Sequence, residues 1–206
     1  MASSTREALV DTAAALLDEG GVESVTLREV GRRTGVSHNA PYKHFASKEV
    51  LLAAVATREL ERQAALLAAA AERSRSPRAL LRAAMHVYIA WARDHPARFK
   101  LVFGRWSVGS AELGVAADTA HGLLTGIVAA AQEAGALPGG DPVRLASLMR
   151  ALVHGAADLA SAGHLASDGK GHASPEQLVD DLIGYLDAAA RAMRADPPAM
   201  EDGASG

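Results

Sequence analysis

The stretch TLREVGRRTGVSHNAPYKHFASKEVLL, residues 26–52, decides the fold. Thr26-Leu27-Arg28-Glu29 has the S/T-x-x-E form of a capping box, in which a hydroxyl and a carboxylate satisfy backbone amides at a helix start. Leu27 and Val30 face inward on the short helix that follows, and Gly35 ends it. Ser37 is expected to cap a second, shorter helix that carries Tyr42 and Phe45. Ser47 then caps a longer one running through Leu51, Leu52, Val55, Leu60 and Leu67. Two short helices joined by a tight glycine turn, the second presenting small and polar side chains, have the form of a DNA-reading helix-turn-helix.

The physical demands on such a pair sort the residues. The second helix must bury Val36, Tyr42 or Phe45 while presenting Ser37, His38, Asn39, Ala40, Pro41 and Lys43 to the groove. Asn39 can bond an adenine edge bidentately, His38 can donate to or accept from a purine, and Ala40 and Pro41 can touch thymine methyls. Thr26, Tyr42, His44 and Lys48 suit phosphates, which position without specifying. Lys48 also lies in the first turn of the long helix, where exposed amides favour an anion. With Ser37 as cap, Pro41 falls near the end of the first turn, where at most one helical bond is lost. Arg28, Arg32, Arg33, Lys43 and Lys48 oppose the single acid Glu29, a local net of +4 in a chain whose formal net charge is −3. One basic edge on an acidic body predicts one anionic contact surface, at which Arg28 also belongs.

Outward from this stretch, the 206 residues are rich in Ala and Leu and poor in aromatics, which favours helix. There is no cysteine, which excludes disulfides, thiolate zinc sites and cysteine nucleophiles. No apolar run near the N-terminus resembles a signal peptide, and no uninterrupted apolar stretch approaches the roughly 18 residues of a membrane span. A soluble, cytoplasmic protein with no membrane partner is expected. Ser4-Thr5-Arg6-Glu7 caps a first helix carrying Leu9, Ala13, Leu16 and Leu17, which Gly20-Gly21 stops. After a break at Ser74 to Pro77, helices are expected over about 77–95, 98–103, 111–134, 142–162 and 174–195. The fold class is all-α, without repeats. Residues 196–206, with Pro, Gly and Ser, are expected to be a disordered tail.

The run from Thr26 to Leu52, and above all Tyr42-x-His44-Phe45-x-Ser47-Lys48-Glu49, resembles the N-terminal domain of the TetR family of bacterial regulators. The resemblance implies an N-terminal three-helix domain (1–48) followed by a helical ligand-binding and dimerisation bundle (49–195). It implies a homodimer that represses transcription at a palindromic operator until an unidentified small-molecule effector binds. On this chain it gives phosphates to Thr26, Ser37, Tyr42, His44 and Lys48, and bases to His38, Asn39 and Pro41. Trp91-x-x-x-His95-Pro96-x-Arg98-Phe99, then Leu101-Val102-Phe103-Gly104 and His154-Gly155, resemble the C-terminal domain of the subgroup named for a Trp-His-Gly motif. Arg150 stands where that subgroup has its tryptophan.

In the C-terminal part, large side chains fill a core or line a pocket, and the sequence leaves both open. Tyr88, Trp91, Phe103, Trp106, His121, Met149, Arg150 and His154 are the candidate ligand residues. Leu152, Leu178, Leu182, Ile183, Tyr185 and Leu186 give the last two helices more apolar surface than one neighbour buries, and the resemblance implies a four-helix dimer interface there. His154 and Asp158 stand i, i+4 without a third ligand, and His86, His95, His164 and His172 form no metal-binding spacing. No serine lies in an elbow motif. No metal, cofactor or enzyme activity is expected. The rival classes are a helical scaffolding protein that meets an acidic partner and a bundle enzyme.

Overall fold

The computed structural model describes residues 4–195, and the expected tail 196–206 lies outside them. The described residues hold nine helices and no strand. The first, α1, is Thr5–Ser24, and its capping box is complete: Ser4 Oγ accepts from the Glu7 amide and Glu7 accepts from the Ser4 amide at 2.7 Å. Its helical dihedrals lapse at Gly20 and Gly21, so the stop read from sequence is a kink, and Ser24 Oγ donates back to the Leu16 and Gly21 carbonyls. Leu9, Val10, Ala13, Leu16 and Leu17 are buried.

Next come α2 (Leu27–Thr34) and α3 (Ala40–His44). Gly35 between them takes φ 74°, a left-handed conformation that lets the chain turn without a Cβ clash. Two expectations change here. Thr26 caps α2 by accepting from the Glu29 amide at 3.1 Å, but Glu29 does not return the bond, because its carboxylate is taken by Arg32 and Arg33. The third helix starts at Ala40, with Asn39 in the cap position, and not at Ser37: residues 37–39 make a turn closed by Ala40 N–H to the Ser37 carbonyl at 2.9 Å. Pro41 therefore stands in the first turn, where its missing N–H has no helical partner to lose.

The longer helices follow expectation closely: α4 Lys48–Arg73, α5 Pro77–Asp94, α6 Pro96–Val102, α7 Ala111–Glu133, α8 Pro142–Ser161 and α9 Pro175–Ala195. Side-chain caps open α4, α8 and α9, from Ser47, Asp141 and Ser174. By length and composition α7 could cross a membrane, with a mean hydropathy of 1.3 over 18 residues. Asp118 and His121 interrupt it.

The chain divides into two compact units whose border cuts through helices. One runs through Ala69 and takes Val87–Leu123; the other takes Ala70–His86 and the chain from Leu124 on. In the first, α1 packs on α2, α3 and α6, so the helix-turn-helix shares a core with α6 and the first part of α4. In the second, α8 packs on α9, and Met149, Val153, Ala156, Val179 and Ile183 of these helices are buried. Arg82 and His86 of α5 hold Asp180 at 2.8 and 2.9 Å, and Arg78 holds the buried Asp187 at 2.7 Å.

Candidate nucleic-acid interface

Phe45, 1 % exposed, is the residue that closes the helix-turn-helix inside, and Tyr42, 51 % exposed, stays outside. Sequence alone left the choice open. Helical phase decides it, since Pro41 and Phe45, four apart, are buried while Tyr42, Lys43 and His44 between them are exposed. Thr26, Arg28, Ser37, His38, Asn39, Tyr42, Lys43 and His44 are all exposed, and Ala40 and Lys48 are half-buried. Pro41 is the exception. It is buried, and a Cβ added to Gly31 would come within 2.7 Å of its Cγ, so the ring packs on the α2 backbone. The expected groove-facing role of Pro41 is corrected on this ground: it sets the spacing of α2 and α3. Gly31 is the residue that permits the approach, and its place in the middle of a helix is the signal sequence reasoning passed over.

The electrostatics are also narrower than a charge count gives. Arg32 and Arg33 both bond Glu29, and Arg33 reaches Glu19 at 2.6 Å, so these two cations are engaged within the fold. The Arg32 hydrogen bond first, then that from Arg33, lowers the Glu29 pKa to about 2. Because the folded pKa is depressed, this cluster is intact above the ordinary carboxylate range and is lost only as pH falls toward 2. Among the described residues no ion pair engages Arg28 or Lys43, and Lys48 lies 3.9 Å from a fully exposed Glu23. Thr26, Arg28, Glu29, Arg32, Val36 and His38 line a shallow groove of about 400 Å³ at the α2 N-terminus. The His38 and Tyr42 rings lie 5.9 Å apart beside it. The surface therefore offers Arg28, Lys43, Lys48 and a row of uncharged donors and acceptors to an anion.

Behind it, three of the candidate ligand residues, Tyr88, Trp91 and Phe103, come together beside a charged network that sequence reading missed. Tyr88 and Trp91 of α5 meet Phe99 of α6 and Phe103 just beyond it in one aromatic cluster, with centroids 5.4–6.5 Å apart. Trp91 Nε1 donates to Glu59 of α4 at 3.2 Å, and Arg98 donates to the other Glu59 oxygen at 3.0 Å. Arg98 also makes a two-pronged bond to Asp18 of α1. Glu59 is 1 % exposed. Burial works against the Arg98 cation, but the Asp18 hydrogen bond and the Glu59 charge outweigh it and raise its pKa. A charged chain thus runs from α1 through α6 to α4 and the cluster.

The other candidate ligand residues are scattered. Trp106 lines a groove of about 370 Å³ with Lys48, Lys100 and Arg105, and His121 lies on α7 in the same unit. Met149, Arg150 and His154 belong to the second unit, where Met149 is buried and Arg150 exposed. Burial lowers the His154 pKa, with Asp158 opposing and Arg150 adding to the fall. Among the described residues no group of three or more His, Asp or Glu could hold a metal ion.

Residues 9–55 match the model of bacterial regulatory proteins of the tetR family, and residues 81–182 match a tetracyclin repressor-like C-terminal domain. The chain belongs to the tetR family. A tetracycline repressor protein of class C from Escherichia coli is 45% identical over 51 residues, 25% of this chain, and the match spans only 23% of that repressor. A protein of unknown function from Rhodococcus sp. RHA1 shares the fold over 91% of this chain and 96% of its own, at 30% identity and a TM-score of 0.79. AibR, solved with isovaleryl coenzyme A and operator DNA, is a fold neighbour at 19% identity and a TM-score of 0.64, covering 89% of this chain and 98% of AibR. The tetR family is one of transcriptional regulators, not enzymes, and the all-α fold is that of its members.

The remaining expectation concerned the last two helices. On α9, Leu178, Leu182 and Leu186 are half-buried and Tyr185 is 73 % exposed, while Ile183 is 2 % exposed. Ile183 is corrected: it lies on the α9 face that packs within its own unit, with Val179 and Ala190, and has no surface for a partner. On α8, Leu152 is half-buried, and Leu148 and Leu159, 68 % and 49 % exposed, extend its line at i−4 and i+7.

Proposed function

We propose that this tetR-family member is a sequence-specific, duplex-DNA-binding repressor that acts as a homodimer and responds to a small-molecule effector. Residues 1–48 read DNA and residues 49–195 sense and dimerise. The observation that carries DNA binding is the outward face of α2 and α3: every assigned contact except Pro41 is exposed or half-buried, and Arg28 and Lys43, which no ion pair engages among the described residues, lie there with Lys48. Thr26, Tyr42, His44, Arg28, Lys43 and Lys48 hold phosphates, and His38 and Asn39, with Ser37 and Ala40 beside them, meet base edges. Dimerisation rests on the apolar rows Leu148, Leu152, Leu159 and Leu178, Leu182, Tyr185, of which Leu148, Leu159 and Tyr185 are exposed and the others half-buried, with half-buried Leu186 at their edge. That AibR is solved with both an acyl-coenzyme A and operator DNA supports reading the helices behind the head as a sensor. Trp91, His95-Pro96, Arg98-Phe99 and His154-Gly155 support placing this half near the Trp-His-Gly subgroup.

Two substitutions separate the assigned roles. Asn39→Ala is expected to reduce discrimination between operator and mismatched duplex by about 1–3 kcal/mol while leaving random-duplex affinity in place. Lys48→Ala is expected to weaken all sequences alike and to lower the salt slope by about 1 per site contacted. Fluorescence anisotropy with labelled duplexes reads both, and equal effects of the two variants would overturn the assignment.

A further inference from the structure

Arg98 and Lys100 stand two positions apart on α6, about 200° around the helix from each other. Arg98 turns inward to Asp18 and Glu59, which ties α6 to α1 and α4, and Lys100 is exposed on the opposite side. The chain leaves α6 tightly: a Cβ on Gly104 would come within 2.9 Å of the Lys100 carbonyl oxygen, so a side chain there would strike backbone. Arg105 follows at once and is also exposed. Lys100 and Arg105 line one groove of about 370 Å³ with Lys48 at the start of α4, and all three belong to the unit that holds the helix-turn-helix.

Two acids share this groove. Glu23 lies 3.9 Å from Lys48 and is almost fully exposed, and Glu49 is engaged by Ser47, whose hydrogen bond is the main cause that lowers its pKa. Among the described residues no ion pair engages Lys100 or Arg105, so the charges left over in the groove are both positive. Lys48 is assigned to a phosphate at the edge of the α2–α3 face, and the groove continues that face with further cations. Duplex DNA carries about one negative charge per 1.7 Å of its axis, so a strand held at Lys48 runs on with more phosphates for the cations beside it. We infer that Lys100 and Arg105 hold backbone phosphates just outside the base pairs that α3 reads, a second anchoring surface beyond the helix-turn-helix. The inference rests on the reading of the chain as a duplex-DNA-binding regulator and extends its footprint. Phosphate contacts carry no sequence information, so these tighten operator and random duplex alike.

Lys100→Gln with Arg105→Gln removes two cations per subunit, four in the proposed dimer, each contributing about 0.9 to the slope of log affinity on log salt. Fluorescence anisotropy of the whole protein on operator and on random duplex is expected to show both slopes shallower by about 3–4. Between about 50 and about 200 mM salt, the unaltered protein should lose about 100-fold more affinity than this variant. The preference for operator should stay and Tm should hold, since both residues are exposed. Lys100→Arg with Arg105→Lys keeps the charges and should keep the slope. Arg144→Gln with Lys170→Gln takes the same charge from exposed positions of the other unit and should leave the slope as it is. An unchanged slope in the first variant, a lost slope in the second, or an equal fall in the third would overturn the inference and leave the regulator reading standing. Loss of operator preference in the first variant would also overturn it, because the two residues would then meet base edges. Failure of the unaltered protein to bind either duplex would sink the regulator reading, and this inference with it.

Discussion

Arg98→Ala is expected to lower the stability of the folded chain by about 3–5 kcal/mol, a drop on the order of 10 °C in Tm. The size follows from what the substitution leaves behind. Glu59 would remain 1 % exposed with only the Trp91 N–H and a more distant Arg62, an uncompensated charge inside the helical core. Asp18 is more open, a third exposed, so water would serve it and its share of the loss is smaller. Glu59→Gln keeps an acceptor for Trp91 and leaves Arg98 its bonds to Asp18, so it should cost less than Arg98→Ala. A urea melt of the three proteins checks the order. A loss below about 1 kcal/mol for Arg98→Ala would mean that Glu59 does not depend on it. Because the network joins α1 to α6 and α4, its loss should also loosen the placement of the reading head, seen as weaker operator binding at temperatures where the variant is still folded.

The second large effect concerns assembly. Leu148→Asp with Tyr185→Asp places charges on two of the most exposed apolar positions of α8 and α9 and disturbs no residue of the chain's own core. The doubly substituted protein should keep its helical circular dichroism and sediment as a monomer. Its operator affinity should fall by at least about 100-fold, because two linked reading heads gain a factor on the order of 10²–10⁴ over one. A variant that still sediments as a dimer would place the interface elsewhere. A monomer that binds the operator with unchanged affinity would contradict the two-headed mechanism.

The reading head was legible because its signals are local. Thr26, Gly35 and Ser47 mark their elements by residue type at short range, and the capping oxygens and the left-handed Gly35 are where those types require them. Local reading failed where a distant contact decides the outcome. Ser37 has the chemistry of a cap, but α3 begins at Ala40 because the chain first turns and Pro41 seats on Gly31, a contact no capping rule encodes. Ile183 and Leu182 look alike as letters, and only the phase of α9 against α8 sends one inward. The network of Asp18, Glu59 and Arg98 joins residues 39 and 80 positions apart, and each alone passes for one more charge on an amphipathic helix. A cue did exist: Glu59 follows an inward run of Leu51, Leu52, Val55 and Ala56 at helical spacing, so its burial was implied by period and a cation partner by cost.

The central claim is that the outward face of α2 and α3 reads duplex DNA. Its most direct test is a mobility-shift titration of the full chain against duplex from the flanks of its own gene and against random duplex, repeated across salt. Arg28, Lys43 and Lys48 on each of two subunits predict a slope of log affinity on log salt of about −5. Specific binding should exceed random-duplex binding by at least about 10³. Absence of binding, or equal affinity for both duplexes at every salt concentration, would contradict the account.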